Sequence, residues 1–529
     1  MDRTLVPSAS AVPPRVRRAI VDRARIDTRT LAVFRVFVGV LIVADVLARS
    51  RNFHFFYTEE GVVPLELAQR ATGDYVVSVY YLTTDPTIIA LLFAVQILLA
   101  LQLIAGYKTR VAIVLSFLFV VSLDHRNTFV LSYADILFRL LLFWAIFLPL
   151  GERWSIDAVH AAREPRQSFA GVASVLILCQ MVTMYFVNGL HKRQNELWTG
   201  GEATPHILGL DHITFLLGNT VRAVPTVLQF GGLGWYYAML ASPLLLLLTG
   251  RKRLLFALPF LGGHLMFALT VRIGAFPYVA LAGLLLFVQT QPWEDGRRAL
   301  RRIRGEGTAY ATVRSRFVAF ARRVPTVRVD GPRLRALRSD GYTLAVMVVF
   351  ASMLVIAGGA GLQAAGVVDD TPAPMQDVQN TAELVAVDQP DWTIFAPTPS
   401  TTDRYYVFAA QTVHNDTYDI YNGNRPLTYD RPEDELQTQY GSYRERFYMN
   451  SVRRGGQDHP VTTTYGDYLC ETVEEETGVR LVRIEMYVIA ETVTMDTTDD
   501  HEERERRSSL IHQHGCGDYE PGEIDPPDF

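Results

Sequence analysis

Residues 31–48 read Leu31-Ala-Val-Phe-Arg35-Val-Phe-Val-Gly39-Val-Leu-Ile-Val-Ala-Asp45-Val-Leu-Ala48, an almost unbroken apolar run carrying only two charges. About 20 such residues cross a hydrocarbon core of about 30 Å, so this block reads as a membrane span. Similar blocks recur, and nine spans are expected at approximately 31–48, 87–105, 111–124, 135–150, 168–190, 234–249, 254–271, 273–290 and 343–366. The whole 529-residue chain averages out apolar, with a mean hydropathy of +0.14, which an ordinary soluble enzyme or a disordered chain does not do. Three cysteines (Cys179, Cys470, Cys516) are too few for a disulfide scaffold or a zinc-type cluster, and no metal is expected. The fold class expected is a polytopic α-helical membrane protein with a C-terminal β-rich domain.

Charge assigns sides to these spans. Arginines crowd the first 30 residues, the connections around Lys108/Arg110, Arg153/Arg163/Arg166 and Arg251/Lys252/Arg253, and the stretch 291–342. With nine spans, all five basic segments fall on one side, which the positive-inside rule makes cytoplasmic. The first 30 residues show no apolar core of a cleavable leader and read as a basic cytoplasmic N-terminus. A cytoplasmic connection comes after the eighth span at 291–342, where 297–304 suits either a basic helix on anionic headgroups or a solvated loop. Beyond the last span come a linker at 367–389, an extracellular β-rich domain at 390–496 and an acidic tail at 497–529 that reads as disordered. Strand-like runs are expected at Tyr405–Val413, Arg446–Val452 and Val479–Val493. Residues 367–529 hold 33 acidic residues against 12 arginines and no lysine. That balance disfavours nucleic acid as a partner and suits a surface in concentrated salt, so a halophilic source is expected.

Ionisable residues inside spans are costly, so each marks either helix pairing or a site. Arg35 and Asp45 lie about 15 Å apart along one helix, and each needs a partner on another. Asp135 and Arg139 have the spacing to pair with each other. His264 sits mid-span between Gly263 and an apolar run. Lys192 closes the fifth span within Met184-Tyr185-Phe186-Val187-Asn188-Gly189-Leu190-His191-Lys192-Arg193, in a chain with 47 arginines and three lysines. An amine can shed its proton when desolvated whereas a guanidinium cannot, so Lys192 is either a general base at the membrane interface or a snorkelling anchor.

Several segments together resemble a known family. They are Leu31–Gly39, Phe56–Pro64, Arg126-Asn127, Asp135–Arg139, Phe147–Asp157, Tyr185–Lys192 with Trp198, and His264 with Gly274–Pro277. In this order they are similar to the HTTM domain, the membrane module shared with vitamin K-dependent gamma-glutamyl carboxylases, over roughly residues 25–290. Trp392–Pro399 also resembles the segment immediately C-terminal to that module in prokaryotic members. The resemblance implies a membrane module of about eight helices at 31–290, and a reduced vitamin K or menaquinone-type quinol as cofactor. In the carboxylases a lysine at the position of Lys192 deprotonates the quinol, whose oxygenated product takes the γ-proton of glutamate before carbon dioxide adds. On that basis Lys192, His264 and His191 are the candidate catalytic residues, and Arg35, Asp135, Arg139, Tyr185 and Trp198 the candidate cofactor-binding residues. The expected partners are the bilayer, a quinone or lipid, and a secreted protein substrate. The alternative is a non-catalytic lipid- or quinone-binding module that displays the outer domain. A transporter is a weaker third reading, because no repeated half is visible.

Overall fold

The computed structural model describes residues 13–73, 76–161, 163–304, 308–326 and 387–529, with a few single positions between 341 and 383. The span expected at 343–366 and most of the linker lie outside the described residues. The larger helices are α1 (Pro14–Ala24), α2 (Thr28–Ser50), α3 (Pro86–Ala105), α4 (Thr109–Arg126), α5 (Tyr133–Ala145), α6 (Val172–Lys192), α7 (Pro225–Leu240), α8 (Gly250–Thr270), α9 (Phe276–Leu285), α10 (Thr290–Arg304) and α11 (Thr308–Arg323). Among the described residues four are long and apolar enough to cross a membrane: α2, α3, α6 and α8. Helix α9 is shorter but forms the hub of the bundle. It packs against α2, α5, α6 and α8, burying Val279, Ala280, Ala282 and Leu284. At Gly283 a methyl group would press on the Met181 side chain of α6, so the glycine gives that side chain its room.

Boundaries reflect local chemistry. Asp85 caps α3 by accepting from the Thr87 N–H at 2.7 Å, and Pro86 takes the first helical position. Gly106 ends the same helix with φ +69°. The block expected at 234–249 begins earlier, as α7 at Pro225, because the glycines of Gly231-Gly232-Leu233-Gly234 dilute its hydropathy without breaking the helix. It stops at Leu240, just before Pro243. The block expected at 135–150 is helical only over Tyr133–Ala145. The described residues of this basic stretch form the helices α10 and α11, so the basic helix expected at 297–304 forms within α10.

The C-terminal region is a five-stranded antiparallel sheet in the order β5-β4-β3-β6-β7 with two helices, α12 (Tyr443–Gly455) and α13 (Pro460–Thr477). Its strands are β3 (Thr402–Thr412), β4 (Thr417–Asp419), β5 (Arg425–Pro426), β6 (Leu481–Thr492) and β7 (Arg506–Gly515), while β1 (Ile26–Asp27) and β2 (Ser168–Phe169) form a separate small ladder in the helical module. The run Tyr405–Ala410 is buried throughout because both faces of β3 are covered. Two expectations are corrected. Arg446–Val452 is helix, not strand: Ser442 caps α12 by accepting from the Glu445 N–H at 3.2 Å, and Tyr448, Met449 and Val452 recur on one helical face. The tail expected to be disordered from 497 supplies β7, paired with β6 from Glu491↔Arg506 to Arg483↔Gly515. Behind β7, Cys516 is bonded to Cys470 of α13.

Buried charge joins the sheet region to the bundle. Arg444 of α12 donates to Asp135 at 2.9 Å and to Asp45 at 2.5 Å. Arg49 donates to Asp45 and to Asp124, and Arg139 lies 3.8 Å from Asp124. Asp135 and Arg139 therefore pair with other helices rather than with each other, since Asp135 turns back to cap α5 at Ser132. A second knot holds Asp403 of β3 between the Asp211 and His212 backbone N–H groups, the His212 ring and Arg504. These contacts hold the Asp403 carboxyl well below the usual carboxylate range. Burial outweighs the neighbouring carboxylate at His212 and pushes the imidazole down to about 4, so its ring donates as a neutral N–H.

Both knots have testable consequences. Arg444→Met leaves Asp45 and Asp135 buried with less countercharge and is expected to destabilise the protein by about 3–5 kcal/mol, read as a lowered unfolding midpoint and faster trypsin nicking. Because His212 protonates near 6.5 when unfolded but near 4 when folded, stability is full above pH 6.5 and falls as pH drops toward 4, by up to about 3 kcal/mol. His212→Asn, whose amide donates without titrating, should flatten that pH dependence of the melting temperature.

Candidate functional site: a lysine-walled apolar cavity

Tyr185, Asn188 and Lys192 recur along α6 at spacings of three and four, which places them on one face of its last two turns. Gly189 lets α7 come close, since a methyl there would lie 3.2 Å from the Leu240 backbone nitrogen. Helix α8 approaches through Gly263, against which the Trp235 ring is seated 2.5 Å from a notional Cβ. Between α6, α7 and α8 lies a cavity of about 720 Å³. Its wall is apolar, with Trp235, Phe267 and Phe276 at one end and Trp198 and Ile207 at the other. Glycines create the room: side chains added at Gly231, Gly234 or Gly262 would meet only open space.

Few polar groups face this cavity. The Tyr185 hydroxyl and His264 Nε2 are 2.7 Å apart, and buried His264 Nδ1 has no hydrogen-bond partner. Lys192 is 2% exposed, so its amine is sealed from bulk water. Its Nζ donates to the carbonyls of Ile394 at 2.8 Å and Phe395 at 3.1 Å, and stands 3.5 Å from the centre of the Trp198 ring. Among the described residues no carboxylate forms an ion pair with it. The carbonyls belong to a strap, residues 392–395, that roofs the cavity just before the sheet begins. Asn188 donates to the carbonyls of Trp392 at 2.6 Å and Ile394 at 3.0 Å, and the Trp198 indole N–H donates to Phe395 at 2.9 Å. Trp392 itself stacks on Tyr133 of α5.

The structure gathers Lys192, His264, Tyr185 and Trp198 around one space and leaves the other expected residues elsewhere. His191 is not among the residues that line the cavity and is partly exposed. Arg35 lies towards the other end of α2 and donates to the carbonyls of Ile104, Leu150, Arg153 and Trp154. A methyl on Gly106 would come within 2.6 Å of its guanidinium, so the glycine serves this seat. Asp135 and Arg139 belong to the charge knot under Arg444. Asn188 and the strap carbonyls are additional parts of the site. Asn188 lies inside the lysine-bearing stretch but has no ionisable group to draw attention, and backbone carbonyls carry no sequence signal at all.

Residues 24–293 match the HTTM domain family, more than half of the chain. The chain belongs to the HTTM domain family. This domain is found in vitamin K-dependent carboxylases, and the match takes in Lys192, Tyr185, Trp198 and His264 while the strap falls outside it. No curated protein and no solved structure matches the chain. The matched domain and the apolar helices fit a membrane protein.

The clamp on Lys192 has a measurable consequence. In the native protein Lys192 should resist water-soluble amine-acylating reagents. Asn188→Ala, which removes two bonds to the strap, should raise its labelling rate by about tenfold, read by peptide mass spectrometry. Equal rates in the two proteins would show that the strap does not seal the amine.

Proposed function

We propose that this protein is a multi-pass membrane enzyme that acts on a quinol in the cavity beside Lys192, with Lys192 as general base. The observation that carries the reading is a sealed amine with no carboxylate partner among the described residues, on the wall of an apolar cavity of a size that takes small lipidic ligands. A reduced vitamin K or menaquinone-type quinol fits the lining: an apolar body for the aromatic wall, and hydroxyls for Lys192 and for the orphaned His264 Nδ1. Such a quinol would supply the acidic hydroxyl and the reducing electrons. The chain's own part is to accept a proton at Lys192 Nζ, to orient the head through Tyr185 and His264, and to exclude water with the strap. Carboxylation or oxygenation of a secreted protein is the activity this arrangement would serve.

Nine spans with a cytoplasmic N-terminus and an extracellular sheet domain complete the proposal. The five basic segments on one side support it. The acid-rich, lysine-free outer region suits a halophilic surface. A second reading is favoured by one observation: the two carbonyls at Lys192 already satisfy its amine as a structural pin would. On that reading the module binds a lipid or quinone without turnover and displays the sheet domain.

Two measurements separate the readings. Lipids extracted from the purified protein should contain a quinone, and quinol-dependent carbon dioxide incorporation or oxygen uptake should fall at least about 100-fold in Lys192→Ala. Unchanged turnover in that variant sinks the enzyme reading, and a bound quinone without any turnover leaves the display module. Protease added to intact cells should remove the sheet domain, and full protection would overturn the topology.

A further inference from the structure

A second cleft, of about 510 Å³, lies on the seam between the end of α2 and the sheet region. Phe55 contributes one wall from the helical module, and Tyr421, Tyr465 and Tyr468 contribute the others. The Tyr465 and Tyr468 rings lie nearly parallel at 6.5 Å, with Phe55 edge-on to Tyr468 at 5.4 Å. Glu445 opens onto the same space. One of its carboxylate oxygens accepts the Gly441 N–H at 2.8 Å, and among the described residues it has no ion-pair partner. Its charge reaches the Tyr421 and Tyr465 phenols, and the Tyr421 hydroxyl is buried with no hydrogen-bond partner. Burial raises the Glu445 carboxyl above its ordinary range, outweighing the Gly441 and Ser442 N–H groups and the more distant charge of Arg272.

These groups select for one chemistry. Aromatic faces attract cations, and a carboxylate held beside them without a contacting ion pair adds to the attraction. An anion would be repelled by Glu445, and an apolar solute would leave the Tyr421 hydroxyl without a partner. We propose that the cleft bounded by Phe55, Tyr421, Glu445, Tyr465 and Tyr468 binds an organic ammonium ion. Arg51, exposed at the rim, suits an anionic group carried on the same ligand. A free ammonium solute and a zwitterionic lipid headgroup at the end of α2 share this chemistry. The site stands apart from Lys192 and does not depend on the quinol reading.

The test uses the full chain in a non-ionic detergent, titrated calorimetrically with choline chloride against sodium chloride at equal ionic strength. Saturable choline binding is expected. It should weaken at least about tenfold in Glu445→Gln and in Tyr468→Leu, and remain unchanged in Lys192→Ala. Absence of saturable binding to the native protein, or unchanged affinity in either folded cleft variant, overturns the proposal. Glu445→Gln keeps an acceptor for the Gly441 N–H, and Tyr468→Leu decides the matter where the first variant fails a gel-filtration check. Micelles doped with a phosphocholine detergent form a second arm. Tighter binding than choline assigns the site to a headgroup, and equal or weaker binding assigns it to a solute.

Discussion

Six charged groups, Asp45, Arg49, Asp124, Asp135, Arg139 and Arg444, meet in one buried knot between α2, α4, α5 and α12. Three are cationic and three anionic, so the knot is neutral as a whole. Its members could not be moved singly into so dry a setting, because each would bear its own desolvation cost. The knot therefore acts as a unit, and Arg444 is the one member supplied by the sheet region. Without it, the bundle would hold three carboxylates against two guanidinium groups. This dependence is what makes the sheet region part of the same packed body as the helices rather than a tethered appendage. One continuous core runs the same way, from Leu31 and Phe34 of α2 to Tyr448 of α12 and Ile484 of β6.

Docking of the sheet region also completes the cavity. Residues 392–395 enter from its N-terminal side, and their carbonyls meet Asn188, Lys192 and Trp198. Bare carbonyls are poor neighbours for an apolar cavity unless donors satisfy them. The three donors on the helical module do that, while the strap in turn covers the amine. Bundle and strap each leave unsatisfied polar groups that the other satisfies, which ties their relative placement to hydrogen-bond geometry rather than to apolar area alone.

Much of this was legible in the residues. Long apolar runs announce helices, and α2, α3, α6 and α8 lie close to where hydropathy puts them. Lys192, Tyr185, Trp198 and His264 stood out by chemistry and order, and they share one space. Pairing of charges was not legible, because the partner of Asp135 lies 309 residues away on a helix that resembled a strand. Spacing along one helix suggested Arg139 instead, since local geometry is all that a periodic pattern encodes. Arg35 shows the same limit: a buried guanidinium can bind a cofactor or four backbone carbonyls, and only the fold separates the two. The tail misled for a different reason. Its acidic composition hid a run, Arg506–Gly515, whose order depends on an available sheet edge and a disulfide behind it.

The choice of lysine at position 192 gains meaning from the strap. An arginine could donate to the Ile394 and Phe395 carbonyls and stack on Trp198, so holding the strap alone gives no reason for an amine in an arginine-rich chain. What lysine adds is a proton that can leave. A charged ammonium makes stronger bonds to carbonyls than a neutral amine does, so the protonation state of Lys192 and the grip on its roof are linked quantities. Any proton exchanged between Lys192 and an occupant of the cavity must therefore change how firmly residues 392–395 are held, and any movement of the strap must change the proton affinity of the amine. On the proposed reading, proton transfer and the grip on the strap would meet at a single nitrogen atom.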